Sequence, residues 1–144
     1  MSKSKTYLLD VNVLLALVAA RHQYHDKVAA FAEEAEEGQL AICRVTQMGL
    51  LRLLTNKLVL AEDTLNARQA WALYQALSRD PRFKFLDEPR GLDLKWRELS
   101  ELRGWGPSRW TVDYLISFAA LREVKLATFD AGLLKRANDT GHLI

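Results

Sequence analysis

Thr6-Tyr7-Leu8-Leu9-Asp10 is a short apolar run that stops at a carboxylate and passes at once into a helical pattern. Val124-Lys125-Leu126-Ala127-Thr128-Phe129-Asp130 repeats the arrangement near the other end of the chain. Each reads as a strand–turn–helix unit. In an open parallel sheet, ligands bind just beyond the carboxyl ends of the strands. If both strands lie near the middle of one sheet, Asp10 and Asp130 meet at one spot although 120 positions separate them. Paired carboxylates with no thiolate beside them suit a hard divalent cation, Mg²⁺ or Mn²⁺.

Between these units the chain alternates helical and strand patterns. Leu14 to Ala20 reads as a helix begun near Asp10–Val11, and His25 to Glu37 as an amphipathic helix stopped by Gly38 at its C′ position. Gln39 to Cys43 is a short buried strand, after which Thr46 reads as the N-cap of a helix through Leu54. Thr64 reads as the cap of a helix over Leu65 to Ser78, followed by the alternating strand Phe83 to Leu86. Helices over Leu92 to Leu102 and Thr111 to Arg122 flank the break Gly104-Trp105-Gly106-Pro107. A short helix, Leu133 to Ala137, and an edge strand from His142 to Ile144 complete the chain. Strands separated by helices predict an α/β three-layer sandwich, a mostly parallel central sheet with helices on both faces.

The 144 residues fit one domain over 1–144, with 49% apolar and 26% charged residues. A net charge of +2 neither demands nor excludes a nucleic-acid partner. The single cysteine, Cys43, excludes an internal disulfide framework and any multi-cysteine metal site, and fits a cytoplasmic setting. No run of 18 apolar residues marks a membrane span, and Asp10 and Asn12 interrupt the stretch that would have to serve as a signal peptide.

Asp10 and Asp130 each have a second reading as helix N-caps, since aspartate at a strand–helix turn accepts backbone N–H bonds. Asn12 can aim its amide at the same pocket, and the Thr128 hydroxyl can orient a carboxylate or a water there. Asp113, in a first helical turn, is favoured there by the helix dipole alone, and becomes a third candidate carboxylate by coming just before the Asp130 strand. Gln47 opens the helix after Cys43, a neutral group with little affinity for a cation. Arg44 and Arg52 flank it and, with Arg109, are candidates to meet a phosphate backbone. Trp105 and Trp110 can stack on unpaired bases, against the ordinary reading of core packing. His22 and His25 are spaced for one helical face, but no third soft ligand accompanies them. Neither a Gly-x-Ser-x-Gly elbow nor a phosphate-cradling Gly-rich loop is present.

Leu8-Leu9-Asp10-Val11-Asn12-Val13-Leu14-Leu15-Ala16-Leu17 resembles the opening of a PIN domain, specifically of the VapC toxins of type II toxin–antitoxin pairs. Cys43-Arg44-Val45-Thr46-Gln47-Met48-Gly49-Leu50-Leu51-Arg52-Leu53-Leu54-Thr55 is similar to that family's second block. Pro107-Ser108-Arg109-Trp110-Thr111, Tyr114-Leu115, Phe118-Ala119 and Leu126-Ala127-Thr128-Phe129-Asp130 resemble its C-terminal block. The resemblance implies a metal-dependent endoribonuclease, usually dimeric, neutralised by a small antitoxin that covers the site. The family's acidic cluster transfers to Asp10 and Asp130. Its second acid is Gln47 here. Its third, from a Trp-Thr-Asp-Ala-Tyr-Leu pattern, falls on Val112 in an ungapped match, with Asp113 one place late. One residue turns a helical side chain by about 100°.

Two functions remain open at this level besides a distant third. Hydrolysis of RNA would use Asp10, Asp113 and Asp130 around one or two divalent ions, with no side-chain nucleophile. A weakened PIN domain would bind RNA or an antitoxin without cutting. A phosphatase using Asp10 as nucleophile ranks last, because Asn12 stands where its acid/base aspartate would be.

Overall fold

The computed structural model describes residues 5–102, 106, 107 and 109–144. Arg103, Trp105 and Ser108 lie outside the described residues, and with them the proposed stacking role of Trp105. The strands are β1 (Tyr7–Leu9), β2 (Leu40–Ile42), β3 (Phe83–Phe85), β4 (Lys125–Thr128) and β5 (Gly141–Leu143). The α-helices among them are α1 (Val11–Val18), α2 (His25–Glu33), α3 (Arg44–Leu54), α4 (Lys57–Leu60), α5 (Ala67–Arg79), α6 (Leu92–Leu102), α7 (Arg109–Leu121) and α8 (Ala131–Ala137).

The strands form one sheet in the order β3-β2-β1-β4-β5, and every neighbouring pair is parallel. The sheet is thus wholly parallel, where the sequence predicts a mostly parallel one. Strand order reverses between β1 and β4, because β1 leads outward to β2 and β3 while β4 leads outward to β5. That reversal point is where open α/β sheets form their ligand crevice.

Side chains alternate across the sheet with period two, as the pleat requires. Leu9, Leu40, Ile42 and Ala127 face a core completed by α1, α2, α3 and α5. Leu8, Ala41 and Leu126 face a second core completed by α6, α7 and α8. Leu8, Leu9, Leu40 and Leu126 have no solvent exposure, and each such side chain contributes about 1.5–3 kcal/mol by burial. The three layers expected from the sequence are these two helical layers and the sheet between them.

Several local expectations shift by part of a turn. Helix α3 begins at Arg44, so Cys43 is its N-cap and Thr46 its third residue; the Thr46 hydroxyl reaches back to accept the Cys43 N–H at 3.0 Å. Asn66, not Thr64, caps α5, in a reciprocal pair with Gln69 at 2.9 Å each way. Helix α2 stops at Glu33, and Gly38 instead supplies a left-handed turn (φ +70°) leading into β2. Helix α4 was not anticipated, although Asn56 caps it from the Leu58 N–H at 2.9 Å.

Helices α1 and α3 cross where Gly49 has no side chain. A Cβ built there would stand 2.7 Å from Val11 Cγ2. Gly49→Ala alone gains about 1 kcal/mol of helix propensity, but the overpacking costs about 1–3 kcal/mol. Urea unfolding should therefore show Gly49→Ala to be destabilising in the native background and stabilising in Val11→Ala; the same sign in both would refute the contact.

Candidate metal centre at the β1–β4 crevice

The β1–β4 register pairs Leu9 with Ala127, and the ladder continues as the Asp10 N–H donates to the Ala127 carbonyl at 3.0 Å. The next pair along that register is Asp10 and Thr128. Accordingly the buried Thr128 hydroxyl donates to Asp10 Oδ2 at 3.2 Å. The Thr128 Oγ1 in turn accepts the Asp130 N–H at 3.0 Å. One hydroxyl therefore ties the two strand ends together, and Asp10 and Asp130 are brought to one place.

Both aspartates are also N-caps. Asp10 Oδ1 accepts the Val11 N–H at 2.8 Å, and Asp130 Oδ1 accepts those of Gly132 and Leu133 at 2.9 and 3.2 Å. Capping occupies one oxygen of each carboxylate, so the two readings of these residues are compatible rather than exclusive. No hydrogen bond from a described residue reaches Asp130 Oδ2. The depths differ: Asp10 is 8% exposed, while Asp130 stands at the open mouth. Burial raises the Asp10 carboxyl above its ordinary range. The Val11 N–H and Thr128 hydroxyl pull it down, and the Asp130 charge adds to the rise. No Lys or Arg among the described residues forms an ion pair with either aspartate.

Asp113 takes a different place. It is 2% exposed on α7, and Arg136, in the last turn of α8, donates to its Oδ1 at 2.5 Å. Among the described residues no three His, Cys, Asp or Glu side chains converge as a metal-binding group, so Asp113 is not gathered with Asp10 and Asp130. Its charge is balanced by Arg136. Val112, at the position the family pattern gives to an acid, packs partly buried against the core beneath α7.

Gln47 is buried at 6% exposure and accepts from Arg44 Nη1 at 2.5 Å. The Arg44 guanidinium also lies over the Phe85 ring, 4.9 Å from its centroid, toward the β3 edge. Asn12 is exposed in the first turn of α1, and with Arg52 and Thr111 it lines a cleft of about 820 Å³ between α1, α3 and α7. Arg109 is exposed at the start of α7. Trp110 is 60% exposed; its carbonyl accepts from Trp96 Nε1 at 2.9 Å and the two rings meet edge to face. His22 Nδ1 accepts the Tyr24 N–H, and His25 Nδ1 donates to the Ala16 carbonyl at 2.8 Å, so both rings serve local structure.

The residues that the sequence reading did not single out are Arg136 as the partner of Asp113, and Met48 and Asn56 in the cleft. The Asn-Lys-Leu-Val-Leu start of α4 was a readable cap signal for Asn56. Nothing local marks Arg136, because its pairing spans two helices.

The PIN domain profile matches residues 7–139. Ribonuclease VapC41 of Mycobacterium tuberculosis is 37% identical over 128 residues, covering 85% of this chain and 88% of its own. Ribonuclease VapC29 of the same organism is 33% identical over 140 residues, covering 96% of each chain. A chain of a toxin–antitoxin complex from Klebsiella pneumoniae superposes with a TM-score of 0.67 at 17% identity, over 96% of this chain and all of that one, which speaks to the fold alone. A profile spanning the chain from β1 to the end of α8, and two relatives of VapC type, settle the lineage: the chain belongs to the PIN-domain family, in its VapC group.

Proposed function

We propose that the protein is an endoribonuclease, the toxin of a toxin–antitoxin pair, and that it works with a divalent cation, Mg²⁺ or Mn²⁺, held by Asp10 and Asp130. The observation that carries the metal assignment is the buried Asp10 carboxylate. It faces a second carboxylate, it has no cationic partner among the described residues, and burial and Asp130 both oppose its charge. A hard dication relieves both penalties, and oxygen donors are its preferred ligands. The ribonuclease activity of the VapC relatives supports the substrate.

When bound, such an ion activates the attacking water and neutralises charge on the phosphate. The chain's own residues arrange the rest. Thr128 fixes the Asp10 carboxylate by its hydroxyl and ties it to the Asp130 backbone. Helix capping holds Asp130 Oδ1, and no hydrogen bond from a described residue engages its Oδ2. Asp113 is assigned to the flank, where it anchors Arg136 and where its charge, already balanced, adds little to the pull on a cation. Gln47, held by Arg44, adds none. No side-chain nucleophile takes part. A small antitoxin and a second copy of the chain are the proposed partners, the former supported by the toxin–antitoxin complex of like fold. No helix of the described residues is long and apolar enough to cross a membrane, and we place the protein in the cytoplasm.

A second reading rests on the same geometry. With Gln47 neutral and Asp113 paired to Arg136, only two carboxylates face the crevice, and a protein so built can hold RNA or an antitoxin without cutting.

Asp10→Asn separates these readings. Cleavage of RNA with Mg²⁺ should fall on the order of a hundredfold or more, as expected for loss of an electrostatic group acting at the reacting centre. Undiminished cleavage refutes the mechanism, and absence of cleavage by the native protein favours the binding module. The same variant should be more stable without metal. Because the folded protein raises the Asp10 pKa, it keeps that proton to higher pH than the unfolded chain does. Metal-free stability is then lost as pH rises from the ordinary aspartate range through the raised folded-state value. In EDTA at pH 7, Asp10→Asn should melt a few degrees higher, on a scale where about 1 kcal/mol moves a domain of this size by about 3 °C. Mg²⁺ should raise the melting temperature of the native protein and not that of the variant. A lower melting temperature for Asp10→Asn would contradict the electrostatic picture.

A further inference from the structure

The cleft between α1, α3 and α7 is set apart by its charge. Its basic lining residues are Arg52 and Lys57, and it has no acidic one. Three other clefts on the described surface mix the signs. One pairs Arg21 with Glu62 and Asp63, another Lys5 and Lys125 with Glu123 and Asp139, and a third Arg97 with Asp93 and Glu101. Arg52 and Lys57 are both exposed, and no described carboxylate forms an ion pair with either. Asn12, Asn56 and Thr111 add neutral polar groups, and Met48, 53% exposed, gives an apolar wall.

The cleft is also lined by Val11 and Asn12, which follow Asp10 directly in the chain. Asn12 follows Asp10 by two residues on one helix, about 3 Å along its axis. At about 820 Å³ the space is within the range of sites that enclose small ligands, enough for a short stretch of a chain rather than a folded partner. Of the arginines expected from the sequence to meet RNA, Arg44 is occupied by Gln47 and Phe85, whereas Arg52 faces this cleft.

We propose that this cleft seats the single-stranded RNA next to the scissile phosphate, with Arg52 and Lys57 on its phosphates and Met48 against a base. The inference rests on the ribonuclease reading and gives it a direction: the strand runs from the Asp10–Asp130 crevice over Asn12 toward the α3–α4 turn. An acidic peptide would meet the same two charges. RNA is favoured because Val11 and Asn12, the two residues that follow Asp10, line the cleft, so a strand with a phosphate at Asp10 has its neighbouring phosphates within reach of Arg52 and Lys57. A protein partner would find more apolar surface in the cleft formed by Leu15, Val18, Leu54 and Val59.

The test is fluorescence anisotropy with a labelled 12-nucleotide single-stranded RNA and the full chain in EDTA, over a salt series. Arg52→Glu with Lys57→Glu should weaken binding at least about tenfold. It should also lower the slope of log affinity against log salt by about 1.4, two phosphates at about 0.7 each. Arg97→Glu, in the α6 cleft, should change neither. Circular dichroism checks that the exposed substitutions leave the fold intact. Native-like affinity and slope in the double variant overturn the proposal, as does an equal loss in Arg97→Glu. RNA binding that persists while an acidic peptide is no longer held would make this a peptide site and also overturn it. Binding is read without turnover. A protein that holds RNA here yet never cuts it would refute the ribonuclease reading and leave this inference standing; cleavage by a double variant of undiminished affinity would do the reverse.

Discussion

The parallel ladder between β1 and β4 is the contact on which the site depends. It joins the first strand of the chain to the fourth and sets the two helix-starting aspartates side by side. Its last rung is a side chain: the Thr128 hydroxyl donates to Asp10 and accepts from the Asp130 backbone. Slipping the register by one residue would turn Leu126 and Thr128 to the opposite layer and separate the pair. Because Leu8 and Leu126 fill one core and Leu9 and Ala127 the other, hydrophobic burial fixes the same register that the site needs.

The centre has an electrostatic cost that folding alone does not offset. Asp10 is buried with a second carboxylate nearby, and the hydrogen bonds of Val11 and Thr128 only partly compensate. Asp113, though deeper, differs in kind, because Arg136 neutralises it. One carboxylate is thus paired by an arginine, and the other has no cationic partner among the described residues. That division is how a stable fold keeps a reactive place within it.

Most of the architecture was legible from periodicity and strand ends. The two Asp-terminated runs identified the central strands, and the apolar alternation of Leu40-Ala41-Ile42 and Lys125-Leu126-Ala127-Thr128 matches the layers they face. Helix starts were less legible, because Thr46 and Thr64 have capping chemistry whichever turn they occupy; tertiary packing selected Cys43 and Asn66 instead. The direction of Asp113 was beyond local reading. The sequence reading puts Asp113 in a first turn, but α7 begins at Arg109 and leaves it one turn further in, where Arg136 of α8 claims it. The convergence of Arg52, Lys57 and Thr111 was hidden for the same reason, since α7 lies far from α3 in sequence.

The central claim is that Asp10 and Asp130 act together as one cation site. The most direct measurement is a Mn²⁺ titration of the native protein and of Asp130→Asn, with the free ion followed by its paramagnetic resonance. Asp130 is exposed, so its loss spares the core. The native protein should take up Mn²⁺, and Asp130→Asn should bind it at least about tenfold more weakly. Equal Mn²⁺ affinity in the two proteins would contradict the claim that these carboxylates form one site.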